Sequence, residues 1–154
     1  MHKLLLGSFI AAIIVNVAHA QPACDGNRQS FACSCSDSSD GLSVSCEYRG
    51  FKEIPEGIPD DVVSLNLMHN KIEELKTGQL ERFSKLKSLV LKHNGLHTID
   101  EKAFSGLNEL EVLDLSYNKL TSVPCDEFQW TSNLKTLHMT ENLVTSLSGQ
   151  CFSR

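Results

Sequence analysis

The chain has 154 residues, 41% of them hydrophobic and only 6% aromatic, and carries a formal charge of −5 at neutral pH. Its 14 basic residues form no cluster that would track phosphates, so nucleic acid is disfavoured as a partner, and the acidity speaks for solubility. No phosphate loop, HExxH motif or nucleophile motif occurs, which sets enzymes aside and asks for no cofactor.

Residues 1–20 read as a secretory signal peptide. Met1-His2-Lys3 is a short basic start, Leu4 to Val17 is a nearly unbroken apolar run, and Ala18-His19-Ala20 is a small-x-small cleavage pattern. The run falls short of the about 20 apolar residues that a spanning helix needs, so cleavage is expected over retention as an anchor. Cleavage would remove Lys3 and make the net charge one unit more negative. No later segment is apolar enough to cross a membrane as a helix, so the chain is expected to be secreted, or to be the outer part of something longer.

All six cysteines, Cys24, Cys33, Cys35, Cys46, Cys125 and Cys151, follow that leader. An even number in an oxidising compartment reads as three disulfides, and the same compartment argues against zinc at Cys33-x-Cys35. The first four cysteines lie within residues 21–61 and by themselves permit three connectivities. Between them, Ser36 to Gly41 (SDSSDG) lacks the spaced carboxylates and final Glu of an EF-hand, and reads as a solvated turn.

From residue 62 the chain repeats with a period of 24. Leu65, Leu89, Leu113 and Leu137 form one column; Leu67, Leu91, Leu115 and Met139 a second; Asn70, Asn94, Asn118 and Asn142 a third. Ile72, Leu96, Leu120 and Val144 follow, then Leu75, Ile99, Val123 and Leu147, then Leu80, Phe104, Phe128 and Phe152. The units are 62–85, 86–109, 110–133 and 134–154, the last incomplete. Each reads LxxLxLxxNxL, the leucine-rich repeat signature. Alternation over Leu89-Val90-Leu91 predicts a short strand with one inward face. The Asn that follows satisfies backbone groups that the coil would otherwise bury unpaired. One coil cannot bury its own apolar residues, so coils must stack. The expected architecture is an α/β leucine-rich repeat solenoid with a short parallel sheet on its concave face and a mostly irregular convex side.

Cys125 and Cys151 fall at positions 16 and 18 of consecutive repeats, near the convex side. Coils about 4.8 Å apart on the concave side, and somewhat wider behind it, bring them near the roughly 7 Å limit for a disulfide. A Cys125–Cys151 bridge is expected; the alternative is that each is unpaired or bonds elsewhere.

These repeats, with Glu53-Ile-Pro-Glu-Gly-Ile-Pro-Asp60 leading into them, resemble extracellular leucine-rich repeat proteins. Residues 21–61 look like the cysteine-rich N-terminal cap of that family, in which a disulfide-pinned strand covers the first coil. The resemblance implies Cys24–Cys35 and Cys33–Cys46 pairing. Asp114-Leu-Ser-Tyr-Asn-Lys-Leu120 and the inter-repeat cysteine pair are most similar to the start of a Toll-like receptor ectodomain, with variable lymphocyte receptors a close rival. That likeness implies innate-immune ligand recognition, as a receptor ectodomain or a soluble short form of one. The alternative is an extracellular matrix or cell-surface interaction module with no immune role.

The surface expected to bind is the outward face of the strands. It comprises Asn66, Met68 and His69; Val90, Lys92 and His93; Asp114, Ser116 and Tyr117; and His138, Thr140 and Glu141. Its occupant is expected to be a protein or a microbial ligand. Stacking puts His69, His93, Tyr117 and Glu141 in one row, whose histidines would make binding pH-sensitive near the usual imidazole pKa of about 6.5. Two histidines seldom suffice for a metal, and no metal site is assigned. No Asn-x-Ser/Thr acceptor shields any face.

The fourth repeat stops short of its 24 positions, and no second cysteine-rich cap follows. The expectation is an uncapped apolar end, belonging either to a longer receptor or to a short form that associates with itself or a partner through it. A concave face of about 350 Å², from about 4.8 Å per strand and 3.3 Å per residue, is small beside the about 800 Å² per partner of a standard interface.

Overall fold

The computed structural model describes residues 33–146 and residue 151. The leader and Cys24 lie outside the described residues, as do Leu147 and Phe152 of the repeat columns.

Eight strands form. β1 (Ser34–Ser38) and β2 (Gly41–Ser45) make an antiparallel hairpin. β3 (Val62–Asn66), β5 (Ser88–Val90), β7 (Val112–Asp114) and β8 (Thr136–His138) come one per coil. Together they build a six-stranded sheet in the order β1-β2-β3-β5-β7-β8, parallel from β2 onward. β4 (Glu74–Leu75) and β6 (Thr98–Ile99) pair in parallel as a second, two-stranded ribbon. The remaining return path is turns plus one 3-10 helix, Cys125–Trp130. Helix among the described residues is confined to that 3-10 turn; the convex side is otherwise irregular, as the polar, turn-rich spacing between columns dictates.

The register follows the 24-residue period. Leu65 pairs with Leu89, Leu89 with Leu113, and Leu113 with Leu137. Because side chains alternate across a strand, those leucines point inward on every coil while Ser64, Asn66, Ser88, Val90, Val112 and Asp114 face out. Leu65, Leu67, Leu89, Leu91, Leu113 and Leu115 are fully buried, and so are Phe83 and Phe104 behind them. Truncating any one of these leucines to Ala would cost about 2–5 kcal/mol, the transfer term plus a cavity between coils that cannot collapse independently.

The asparagine column works as a cross-coil ladder. Asn118 donates through Nδ2 to the carbonyls of Leu91 (3.0 Å) and Leu115 (2.9 Å), and its Oδ1 accepts from the backbone of Asn94 (3.2 Å) and Leu96 (3.1 Å). Asn70, Asn94 and Asn142 repeat the pattern; Asn70 reaches into the cap, donating to Cys46 (2.9 Å) and accepting from Arg49 (3.1 Å) and Phe51 (3.0 Å). Each amide thus answers backbone groups of two coils at once, which water cannot do in a packed interior.

The cap is a hairpin rather than a lone strand. Ser39 and Asp40 form its tip; of the SDSSDG stretch expected to be a turn, only these two residues turn, while Ser36–Ser38 belong to β1 and Gly41 opens β2. Cys33 and Cys46 are bonded with Cα atoms 4.4 Å apart. Cys35 is also disulfide-bonded; its expected partner, Cys24, lies outside the described residues. Cys125 and Cys151 are bonded with Cα atoms 4.8 Å apart, inside the bridging limit.

Candidate functional site

The outward residues fall into three rows across the sheet. Ser45, Asn66, Val90, Asp114 and His138 are register partners in the first. Just beyond the strands, backbone N–H groups of Tyr48, His69, His93 and Tyr117 donate to the carbonyls of Met68, Lys92, Ser116 and Thr140, which keeps the next two rows aligned. Met68, Lys92, Ser116 and Thr140 form the second row.

The third row is the most ordered. Tyr48, His69, His93, Tyr117 and Glu141 all hold a left-handed backbone, with φ between 53° and 57°. That region is uncommon for residues other than glycine and costs about 1–2 kcal/mol each. At His69, His93, Tyr117 and Glu141 it recurs because the chain must turn sharply from the strand so that the following asparagine can enter the ladder; after Tyr48 the Arg49 N–H instead donates to Asn70 Oδ1. One consequence is that successive side chains leave their coils in the same direction, one solenoid step apart. The rings stack: Tyr48 on His69 at 4.3 Å between centroids, His69 on His93 at 4.3 Å, and His93 on Tyr117 at 4.2 Å. Interplanar angles are 13°, 8° and 24°. The Lys92 ammonium lies 5.1 Å from the Tyr117 ring centroid, a cation–π contact.

The His93 imidazole titrates below its ordinary range, first through partial loss of hydration, then through the proximity of His69 and Lys92, with Asp114 opposing. At the sheet's edge, Lys135 bonds Glu111 at 2.9 Å and holds its carboxyl below the usual range.

Not every expected site residue is free to meet a ligand. Asn66 and Asp114 accept the N–H groups of Met68 (3.0 Å) and Ser116 (2.9 Å), so both side chains brace the turn after their strand. Asn66 also donates to Glu47, which accepts from Ser45 (3.2 Å), and these residues line a shallow hollow of about 310 Å³ at the cap. Ser116 is buried. Met68, His69, Val90, Lys92 and His93 are half-buried, whereas Tyr117, His138, Thr140 and Glu141 are exposed. Tyr48, 69% exposed, and Glu47 belong to this face although the sequence reading left them out. The available signal was the alternation Leu42, Val44, Cys46, which continues to Tyr48 as Leu65, Leu67 continue to His69. Among the described residues, no group of three or more His, Cys, Asp or Glu side chains is arranged to hold a metal ion.

A parallel sheet with one strand per 24-residue coil, an inward leucine lattice and an asparagine ladder define a leucine-rich repeat solenoid. The leucine rich repeat family profile matches residues 61–120 and 109–154, and the chain belongs to that family. The chain is similar to Leucine-rich repeat-containing protein 3 of Mus musculus, 41% identical across 58 residues, which cover 38% of this chain and 23% of that protein. The Homo sapiens protein of the same name is 40% identical over 57 residues (37% of this chain, 22% of that protein), and the Bos taurus one 41% over 57 (37% and 22%). The chain thus spans less than a quarter of the curated relatives' length.

Proposed function

We propose that this chain is an extracellular protein-binding module whose concave face is the recognition surface. The observation that carries the reading is the alignment of outward side chains into rows on a sheet whose other face packs the core. Val90, Lys92, His93, Tyr117, His138 and Thr140 stand there in fixed register with no core role. A rigid backbone holding a mixed polar and aromatic stripe loses little order on binding, the condition under which a small area still yields affinity. The location outside the cell rests on the leader pattern of residues 1–20 and on three cysteine pairs' worth of oxidisable thiols. No helix among the described residues is long and apolar enough to cross a membrane.

A narrower reading is innate-immune ligand recognition in the manner of a Toll-like receptor ectodomain. It is supported by the resemblance of the 24-residue repeats and the inter-repeat disulfide; the relatives named above carry no such description. A matrix or cell-surface role predicts instead that collagen or another structural protein is bound. Binding of the chain to collagen and to a bacterial cell-wall fraction separates the two. With whichever probe binds, Lys92→Glu combined with Tyr117→Ala is expected to weaken affinity tenfold or more, about 1.4 kcal/mol. The convex substitution Lys76→Glu should leave it unchanged. The reverse pattern would move recognition off the concave face.

A further inference from the structure

The ring column contains two imidazoles in face-to-face contact, and that arrangement limits how many protons it can carry. His69 and His93 are nearly parallel, 8° apart, with centroids 4.3 Å from one another. Tyr48 closes the far face of His69 and Tyr117 the far face of His93, so neither ring can turn aside without losing a neighbour. A single imidazolium in this column is well accommodated, because each charged ring face meets an electron-rich one. Two imidazolium rings at this spacing face one another with like charge and little water between them, and the column then opposes itself.

The groups around the pair do not remove the conflict. Lys92, on the coil of His93, adds a third positive charge and rests on Tyr117. Asp114, on the neighbouring coil, is the carboxylate that acts on His93 among the described residues, and its Oδ1 already accepts the Ser116 N–H. Glu47, near the cap end, is held by Ser45 and Asn66. Glu141 occupies the next position of the column, beyond Tyr117, with the same backbone conformation.

We propose that the Tyr48–His69–His93–Tyr117 column is an acid-sensitive latch on the concave rim: it stays stacked with no more than one imidazolium and opens when the second forms. Above the opening pH the rim presents a closed row of ring edges; below it the rings part and the stripe loses its shape. The regulation matters biologically only if the concave face binds, as proposed above. The latch itself is a property of the free chain and is tested without a partner, so its failure leaves the binding proposal untouched.

The test is a proton NMR titration of the full chain, following the imidazole signals of His69 and His93 and the cross-ring contacts between them. Cross-ring contacts are expected at neutral pH and should vanish on acidification to about pH 5, while the amide signals of Leu65, Leu89 and Leu113 keep their native positions. In His69→Asn, the His93 midpoint should move upward by roughly 0.5 or more, since the like-charged neighbour is gone. Asn adopts the left-handed backbone readily, so the turn survives the change. His93→Asn is the reciprocal variant should the first fold poorly. An unmoved His93 midpoint in His69→Asn, or ring contacts that persist through pH 5, overturns the latch.

Discussion

The side-chain amide of Asn118 bonds the carbonyl of Leu91, 27 residues away in sequence, at 3.0 Å, while its oxygen takes the N–H of Leu96 at 3.1 Å. A single side chain therefore fastens two coils through backbone groups alone, leaving the outward residues of those coils free of any structural duty in the ladder.

That division makes Asn118 costly to lose. Asn118→Ala would strand the buried carbonyl of Leu91 and the N–H of Leu96 with no solvent to replace the amide. The expected loss is about 2–4 kcal/mol, the sum of several unmade bonds in a buried position. Urea denaturation of parent and variant measures it; a difference of less than about 0.5 kcal/mol would mean that water reaches the ladder.

Gly106 tests the tightness of the convex side. A Cβ there would lie 2.3 Å from the Glu81 carbonyl oxygen on the previous coil, and the residue holds φ +86°. Gly106→Ala combines a backbone clash with an unfavourable conformation, and is expected to destabilise by about 2 kcal/mol or more. A thermal midpoint equal to that of the parent would show that neighbouring coils can separate there cheaply.

The Cys125–Cys151 bridge closes a 26-residue separation across the last two described coils. Chain-entropy reasoning assigns it about 3 kcal/mol. In the Cys125→Ser/Cys151→Ser variant, amide hydrogen exchange should quicken first at Thr136–His138, with Ser88–Val90 protected much as before. Uniform quickening across all strands would argue that the solenoid unfolds as one unit and the bridge acts globally.

Acid should weaken the fold in two stages. The unfolded chain takes up a proton on His93 near the ordinary imidazole range of about 6.5, whereas the folded chain resists it, so the stability this site confers is present above that pH and is lost as pH falls. Further down, Glu111 held by Lys135 follows the same sign: its contribution is present above the ordinary carboxylate range and disappears on its protonation. Urea midpoints between pH 7 and 5 should decline, and His93→Asn should flatten that part of the curve. A parent curve already flat there would contradict the sign.

Much of this molecule was legible in its period. Identical spacing of leucines and asparagines required that each coil place the same residues at the same depth, because parallel strands in register translate one coil onto the next. The inward Leu65–Leu89–Leu113–Leu137 column, the Asn70–Asn94–Asn118–Asn142 ladder, the near approach of Cys125 to Cys151 and the row of His69, His93 and Tyr117 all follow from counting by 24. Tyr48 escaped that count because it stands 21 residues before His69, outside the period, in a cap whose hairpin reaches the sheet by a different route.

Sequence by itself thus determined the inward leucine and asparagine columns, since these depend only on alternation and repetition, although Ser116, counted as outward, is buried. What it left open was how the outward residues meet one another. The left-handed turn that aims five consecutive rim side chains in one direction, the ring stacking that results, and the diversion of Asn66 and Asp114 into bracing their own turns are set by backbone geometry after each strand. Such geometry arises only once neighbouring coils have docked and their asparagines have drawn the chain into place, so it is written in the tertiary structure alone.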